Sequence, residues 1–402
     1  MVLADALLGL LAGPLLLACG YLFALTLLSR KAVPPASPPP RLRFDIVVPA
    51  HDEEAGIAAT IRSLREVDYP LPLFRVLVVA DNCSDATARR AEEAGATVLV
   101  RDAPGLRGKG YALEVAFARS LSDGAADAAV VVDADTVVSP NLLEAFAARL
   151  ERGARAIQAR YGVRNPQASW RTRLMAVALA AFHDVRSRAR ERLGLSCGLR
   201  GNGMCFSSEL LRAIPHAAHS LVEDVEYGIA LAESGVRVQY ADEAHVLGEM
   251  VTSARRAASQ RRRWEIGRRE MSRTHAPRLL RQALQNGDRV RADLALDLLV
   301  PPFSQLVAAA GAGLLVGAGL RSLGAPGLTL GIAVACWLML AACVARAWAL
   351  SGTGASGLLA LCGAPGYALW KIAVVLRARW ERPRDWVRTA RETPRAGESA
   401  RG

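Results

Sequence analysis

A doubly wound α/β nucleotide-binding domain flanked by transmembrane helices is the architecture that the sequence predicts, and three observations predict it. Short apolar runs alternate with helical patterns from residue 43 to residue 132, the order that builds parallel βαβ units. The run Ala128-Ala-Val-Val-Val132 is apolar without alternation and leads directly into Asp133-Ala-Asp135. That places a pair of carboxylates at the carboxyl end of a buried parallel strand, where open α/β sheets bind ligands. Apolar segments long enough to cross a bilayer stand near both ends of the chain.

The first element is the stretch from Ala6 to Ser29, which carries no charge and suffices for one spanning helix despite Pro14. A cleavable leader would want a basic start, whereas Asp5 is the sole charged side chain before Arg30, so the segment reads as an uncleaved anchor. The Pro-rich stretch from Pro34 to Pro40 is a stiff linker. Strands are then expected at Phe44 to Val48, Phe74 to Ala80, Ala96 to Val100 and Ala128 to Val132. Helices are expected at Glu54 to Arg65, Ser84 to Ala94 and Lys109 to Ser120. Beyond Asp135 the pattern loosens into a helix at Pro140 to Glu151, a strand at Arg155 to Tyr161 and a long helix at Ala168 to Leu193. A glycine-rich turn, Gly198-Leu-Arg-Gly201-Asn202-Gly203, precedes Met204-Cys-Phe206; a helix at Asp224 to Ser234 and a strand at Val236 to Tyr240 follow.

From Leu294 to Leu376 the chain is again mostly apolar, broken by Pro301-Pro302, Arg321, Arg346 and a Gly-rich stretch, and can hold three helices. Arg30, Lys31, Arg41 and Arg43 follow the first helix, which places the middle domain in the cytoplasm of a multi-pass protein of the cell's inner membrane. The basic tail after Leu376 asks for the same side, and hence for an even number of C-terminal crossings. Interfacial or re-entrant packing of Leu294 to Leu320 would reconcile the two rules by leaving two true spans. The expected organisation is an anchor and linker over 1–42, a nucleotide-binding domain over 43–285, membrane helices over 286–376 and a tail over 377–402.

A hydrophobic content of 52% is high for a purely soluble protein, and the net charge of +12 is carried almost wholly by arginine. The basic run from Arg255 to Arg281 has no helix-turn-helix, finger or RNA-recognition signature beside it, which argues against a nucleic-acid partner. The seven cysteines show no Cys-x-x-Cys pair, and the six histidines have no zinc-like spacing with them, so neither disulfides nor structural zinc are implied.

The chemistry gathers in a few clusters. Pro49-Ala50-His51-Asp52-Glu53 closes the first strand and opens a helix, where backbone N–H groups favour an anion. Ser84 and Asp85 read as simple helix caps. Asp133 and Asp135 can hold a divalent metal against a diphosphate. Arg263 offers a planar fork of donors to a departing diphosphate, and Trp264 a stacking face for a sugar. Glu223-Asp224 is a further pair of carboxylates, remote from the first in the sequence, of the type that serves in general acid–base chemistry.

In order and wording, Asp133-Ala-Asp135, Glu223-Asp224 and Gln260-Arg-Arg-Arg263-Trp264 resemble family 2 glycosyltransferases of the processive, membrane-embedded kind, the group of cellulose, hyaluronan and poly-N-acetylglucosamine synthases. The resemblance covers roughly residues 43 to 270 and implies a GT-A-like fold, a UDP-sugar donor and Mg²⁺ or Mn²⁺. It implies that Pro49, Ala50, His51 and Glu53 cradle the nucleotide, that Asp81 meets uracil, and that Lys109 touches the nucleotide. It puts Asp133 near ribose and metal, Asp135 on the metal, Asp224 in the role of base, and Gly201-Asn202-Gly203 beneath the acceptor. The Gln260 to Trp264 ending belongs to the catalytic set, and Glu223 orients the neighbouring loop. Val222 stands where the family usually has Thr.

Attack assisted by one base, with no enzyme nucleophile, predicts inversion at the anomeric carbon. The acceptor is expected to be a glycan or a lipid-linked molecule. In the polymerising version the C-terminal region is thin for a channel, which a homo-oligomer or an export partner would complete. The alternatives are a single-addition lipid glycosyltransferase, a sugar-phosphate nucleotidyltransferase, which expects a Gly-rich loop with Arg after the first strand, and a nucleotide-sugar sensor, which would have lost Asp224 or Arg263.

Overall fold

Valine, isoleucine and alanine runs with no polar face fill the middle of an eight-stranded sheet. The computed structural model describes residues 1–252, 254–368 and 370, apart from the side chains of 254–257, 259 and 260. Strands β1 (Phe44–Ala50), β2 (Phe74–Asp81), β3 (Thr97–Arg101) and β4 (Ala128–Val131) run parallel in the order β3-β2-β1-β4. Helices α3 (Ile57–Arg65), α4 (Thr87–Glu93) and α5 (Lys109–Asp123) make the crossovers. The strand order reverses between β1 and β4, so a crevice opens outside their carboxyl ends.

The second half of the sheet is mixed rather than doubly wound. It comprises β5 (Thr136–Val138), β6 (Ala156–Val163), β7 (Met204–Ser207) and β8 (Val238–Gly248), and the order continues β4-β7-β6-β8-β5. β7 is antiparallel to β4 and pairs Met204 with Val131. The beginning of β7 therefore lies at the end of β4, which sets the Gly201 to Gly203 turn beside Asp133. Gly203 has φ +69°, and a Cβ there would meet Val246 at 2.8 Å, so glycine is required.

Helices α6 (Leu142–Leu150), α9 (Ser208–Ala213) and α10 (Glu223–Glu233) surround this half. The long helix expected at Ala168 to Leu193 is interrupted: α7 (Trp170–Leu179) passes into a π segment, Ala180–Val185, and then α8 (Arg186–Arg192). The strand expected to end at Tyr240 continues to Gly248. A register shift opposite Ala159 and Arg160 breaks the alternation that would have revealed its length.

Two helices lie N-terminal to the sheet, α1 (Val2–Leu11) and α2 (Gly13–Leu28), bent by 46° at their junction. C-terminal to it are α11 (Ala254–Asn286), α12 (Arg289–Leu299), α13 (Phe303–Ser322), α14 (Leu328–Ser351) and α15 (Gly354–Leu361). Among the described residues, α13 and α14 are long and apolar enough to cross a membrane, with the bent α1–α2 pair a third if it counts as one span. The segment Leu294 to Leu320 is two helices rather than one. It divides at Pro301-Pro302 into α12, whose Asp293 and Asp297 are buried against arginines, and the apolar α13. The expected basic tail at 377–402, and with it the even number of crossings it asks for, lies outside the described residues. The carboxylate of Asp5 accepts the N–H groups of Gly327, Leu328 and Thr329 at 2.7, 2.8 and 2.9 Å, capping α14 from the opposite end of the chain.

Candidate active site

The parallel strands end in two short loops that carry unusual backbone. Asp52 after β1 and Asn82 after β2 have φ of 52° and 50°, a conformation that short polar side chains tolerate by bonding locally. The Asp52 carboxylate accepts Ser84 N–H at 2.6 Å, and Asp85 accepts Thr87 N–H at 2.9 Å. Asp52, Cys83 and Asp85 also lie close enough together to hold an ion, but these carboxylates already clasp one loop to the other. His51 Nδ1 lies 2.7 Å from the Asp81 carbonyl, and Glu53 N–H donates to Thr87 Oγ1 at 2.7 Å. One oxygen of Asp81 takes Arg101 and the Asn82 amide.

Lys109 opens α5 and points across the crevice. Its ammonium pairs with Asp133, donates to the Gly201 carbonyl and lies 4.0 Å from Glu223. A Cβ at the next residue, Gly110, would stand 2.0 Å from the Ala218 carbonyl, so the start of α5 is pressed against the loop that leads to α10. Asn202 is fully buried and bridges Asp133 N–H to Thr136 Oγ1, holding the Asp133-Ala-Asp135 turn from beneath. Gln158, also fully buried, donates to the carbonyl of Asn202 at 2.7 Å.

The charges interact strongly. Burial pushes the Glu223 carboxyl up, against the pull of Lys109 and with the help of Asp224, to about 7. Burial likewise raises Asp224, opposed by backbone hydrogen bonding, Lys109 and Arg200. Burial alone would lower the Lys109 ammonium, but Asp133, Glu223 and Asp224 outweigh it and raise it. The Tyr161 hydroxyl is raised by burial and then by Asp133 and Asp135. Asp133, Asp135, Glu223 and Asp224 thus crowd one wall, and hard oxygen donors in such excess suit a divalent cation. Asp133 and Asp135, which follow β4, would be the residues to hold such an ion against a diphosphate.

Pro49, Ala50, His51, Glu53, Asp81, Lys109, Asp133, Asp135, Gly201, Glu223, Asp224, Arg263 and Trp264 all line one cavity of about 1750 Å³. Asn202 and Gly203 lie buried behind it. Gln260 falls on α11, but its side chain is outside the described residues. Sequence reasoning missed Tyr161, Phe182, Arg186, Arg200 and Arg268, which share the same walls. Their signal was faint, since an arginine in a chain with 50 Lys and Arg does not announce itself.

The family model described as Glycosyltransferase like family 2 matches residues 39–267, more than half of the chain. The chain belongs to glycosyltransferase family 2. This family 2 glycosyltransferase is 28% identical over 257 residues to a beta-monoglucosyldiacylglycerol synthase of Synechocystis, an alignment covering 59% of this chain and 52% of that one. It is 22% identical over 236 residues to the probable glycosyltransferase YdaM of Bacillus subtilis, covering 56% of this chain and 55% of that one. The chain therefore spans about half the length of these curated relatives. Among solved structures, the mannosyltransferase PcManGT of Pyrobaculum calidifontis, in complex with GDP-mannose and Mn²⁺, superposes with a TM-score of 0.57. That alignment covers 94% of this chain and 99% of the archaeal one at 19% identity, a likeness of fold.

Proposed function

We propose that this family 2 enzyme is an inverting, metal-dependent transferase that moves a sugar from a UDP-sugar to a lipid-linked acceptor at the cytoplasmic face of the cell membrane. The observation that carries the reading is the continuity of the cavity. It runs from Asp133, Asp135 and Asp224 to Phe303 and Val307 of α13 and to Trp337 and Val344 of α14. An acceptor with a hydroxyl at Asp224 and hydrocarbon along those helices matches the change of wall from charged to apolar. In this reading residues 43–285 are the transferase, 1–42 and 286–376 its membrane parts, and 377–402 a cytoplasmic tail.

Pro49, Ala50, His51, Glu53, Asp81, Lys109 and Asp133 bind the nucleotide sugar. Asp135 and Asp133 would hold Mg²⁺ or Mn²⁺, which supplies positive charge to the diphosphate as its bond to the sugar breaks; the GDP-mannose and Mn²⁺ of the archaeal mannosyltransferase support this. Arg263 adds a cation that acts on the leaving diphosphate. Asp224 takes the acceptor proton, Glu223 orients its loop, and Gly201 to Gly203 lets the acceptor approach the backbone. Trp264, beneath which Arg261 stacks at 4.9 Å, presents a face to the acceptor sugar together with Gln260 of the same motif.

That motif also favours a second reading, in which the enzyme polymerises an extracellular polysaccharide with a second copy or an export partner. Membranes containing the enzyme, incubated with radiolabelled nucleotide sugars and Mn²⁺, separate the readings. Label in single-sugar steps in the lipid extract is expected. Label confined to long polymer would replace the lipid reading, and no transfer with any donor would end both.

A further inference from the structure

Beyond Asp224 the cavity wall becomes strongly basic. Arg186 and Arg190 of α8, Arg200 of the glycine-rich turn and Arg268 of α11 converge there, and three of them crowd one ring. The guanidinium carbons of Arg186, Arg200 and Arg268 lie 4.7, 4.6 and 5.5 Å from the Phe182 ring centre. The carboxylates facing them from the packed elements are Asp293 and Asp297 of α12. Arg190 binds Asp293 at 2.7 Å and Asp297 at 2.9 Å, and Arg186 binds Asp297 at 2.9 Å. Arg268 reaches only the carbonyls of Asp297 and Val300, and Arg200 only the carbonyl of Cys197 at 2.9 Å. Among the described residues, the ion pairs of these guanidiniums fall on Asp293 and Asp297, both held by Arg190, while Asp224 faces Arg200 from the catalytic side.

Two polar atoms in this wall have no partner among the described residues: Arg200 Nε and His183 Nδ1 are both shielded from solvent. His183 is 7% exposed and lies between Phe182 and Tyr161, with ring centres 5.4 Å from each. A buried guanidinium N–H without a partner, as at Arg200 Nε, is costly amid neighbouring positive charge unless an anion completes it. Burial lowers Arg200, with Asp297 opposing and Arg190 assisting, and it lowers Arg186 to about 10, with the same carboxylate opposing and Arg268 and Arg190 assisting.

We propose that Arg200, Arg268 and Arg186 form a second anion subsite, separate from that for the donor diphosphate, which holds a phosphoryl group carried by the acceptor. The inference rests on the acceptor reading above and sharpens it to an acceptor bearing phosphate. Arg200 immediately precedes Gly201, so phosphate on its guanidinium sets the acceptor between the turn and Asp224. Guanidinium forks suit phosphate oxygens geometrically. The same cavity is also walled by apolar residues of α13 and α14, which a lipid headgroup's tails would use; a soluble phosphate ester would use the arginines alone.

The detergent-solubilised full chain, saturated with UDP and Mn²⁺ to fill the donor site, is titrated calorimetrically with three probes: inorganic phosphate, dioctanoyl phosphatidic acid and dioctanoylglycerol. Phosphatidic acid is expected to bind most tightly, phosphate weakly and the neutral lipid least. Arg200→Gln and Arg268→Gln should each weaken phosphatidic acid by roughly 10- to 100-fold, the range for a charge-assisted hydrogen bond. Arg200→Lys should recover part of the loss, and Arg212→Gln on the outer helix α9 should leave binding unchanged. Phosphate binding as well as the lipid would keep the subsite but make its source soluble. Equal binding of neutral and phosphorylated lipid, or no effect of the arginine variants in protein with a wild-type melting curve, overturns the subsite. Neither outcome touches the sugar-transfer assay, so the two readings fail separately.

Discussion

The side-chain carbonyl of Asn202 accepts the backbone N–H of Asp133 at 3.1 Å, while its amide donates to Thr136 at 2.8 Å. A residue of the glycine-rich turn thus shapes the carboxylate turn that follows β4. Asn202→Ala leaves a buried N–H unmet and is expected to cost about 1–3 kcal/mol. Nucleotide diphosphate affinity in the presence of Mn²⁺ should fall as well, because the Asp133 to Asp135 turn loses its support. Thermal melting and calorimetry together check this; a loss of stability with unchanged nucleotide binding would confine Asn202 to folding.

Asp135→Ala should abolish transfer and weaken the donor diphosphate in parallel, since metal and diphosphate bind as one unit. Chelation of wild type with EDTA should reproduce both effects. Full transfer in EDTA would remove the metal from Asp133 and Asp135.

Asp224→Asn keeps the shape and removes the base. Donor binding should survive while transfer falls by roughly 10²- to 10⁴-fold, the usual contribution of a general base. Retained turnover would move the base to Glu223.

The acid limb of the transfer rate should lie above the ordinary carboxylate range, because burial raises the Asp224 carboxyl. Protonation disables a base, so the rate is lost as pH falls through the raised value. Lys109 opposes that rise at both carboxyls, and Lys109→Met should therefore move the limb to higher pH. A pH–rate profile whose limb moves downward in this variant contradicts the assignment.

Much of this was legible beforehand, and the failures share a cause. Strand β4 and the middles of β1 and β2 read directly as apolar runs, because burial on both faces leaves no polar phase to confuse the pattern, whereas the edge strand β3 is partly exposed. Asp133, Asp224 and Arg263 were legible as punctuated motifs. Arg186, Arg200 and Asp297 were not, because the partners that bury them lie far off in the sequence: Arg186 and Asp297 are 111 residues apart. Short-range spacing reports a helix face, and it cannot tell a solvated charge from one paired across three elements. The extent of β8 was hidden for a more local reason, the register slip opposite Ala159.

Gly110→Ala tests the closeness of α5 to the loop before α10. With a Cβ 2.0 Å from the Ala218 carbonyl, backbone must move, and overpacking of this kind costs about 1–3 kcal/mol. A lower melting temperature with reduced transfer is expected, since Lys109 moves with the helix. An unchanged melting curve would mean the loop yields freely.

The cap that Asp5 places on α14 joins residues 324 positions apart. On a ribosome adding 5–20 residues per second, roughly 16 to 65 s separate the synthesis of that carboxylate from that of the amides it will bind. Through that interval the amino-terminal helices hold an ionised group with no mate, which resists deep burial in lipid. The cap is therefore expected to form late, when α13 and α14 arrive, after every strand of the sheet has been synthesised.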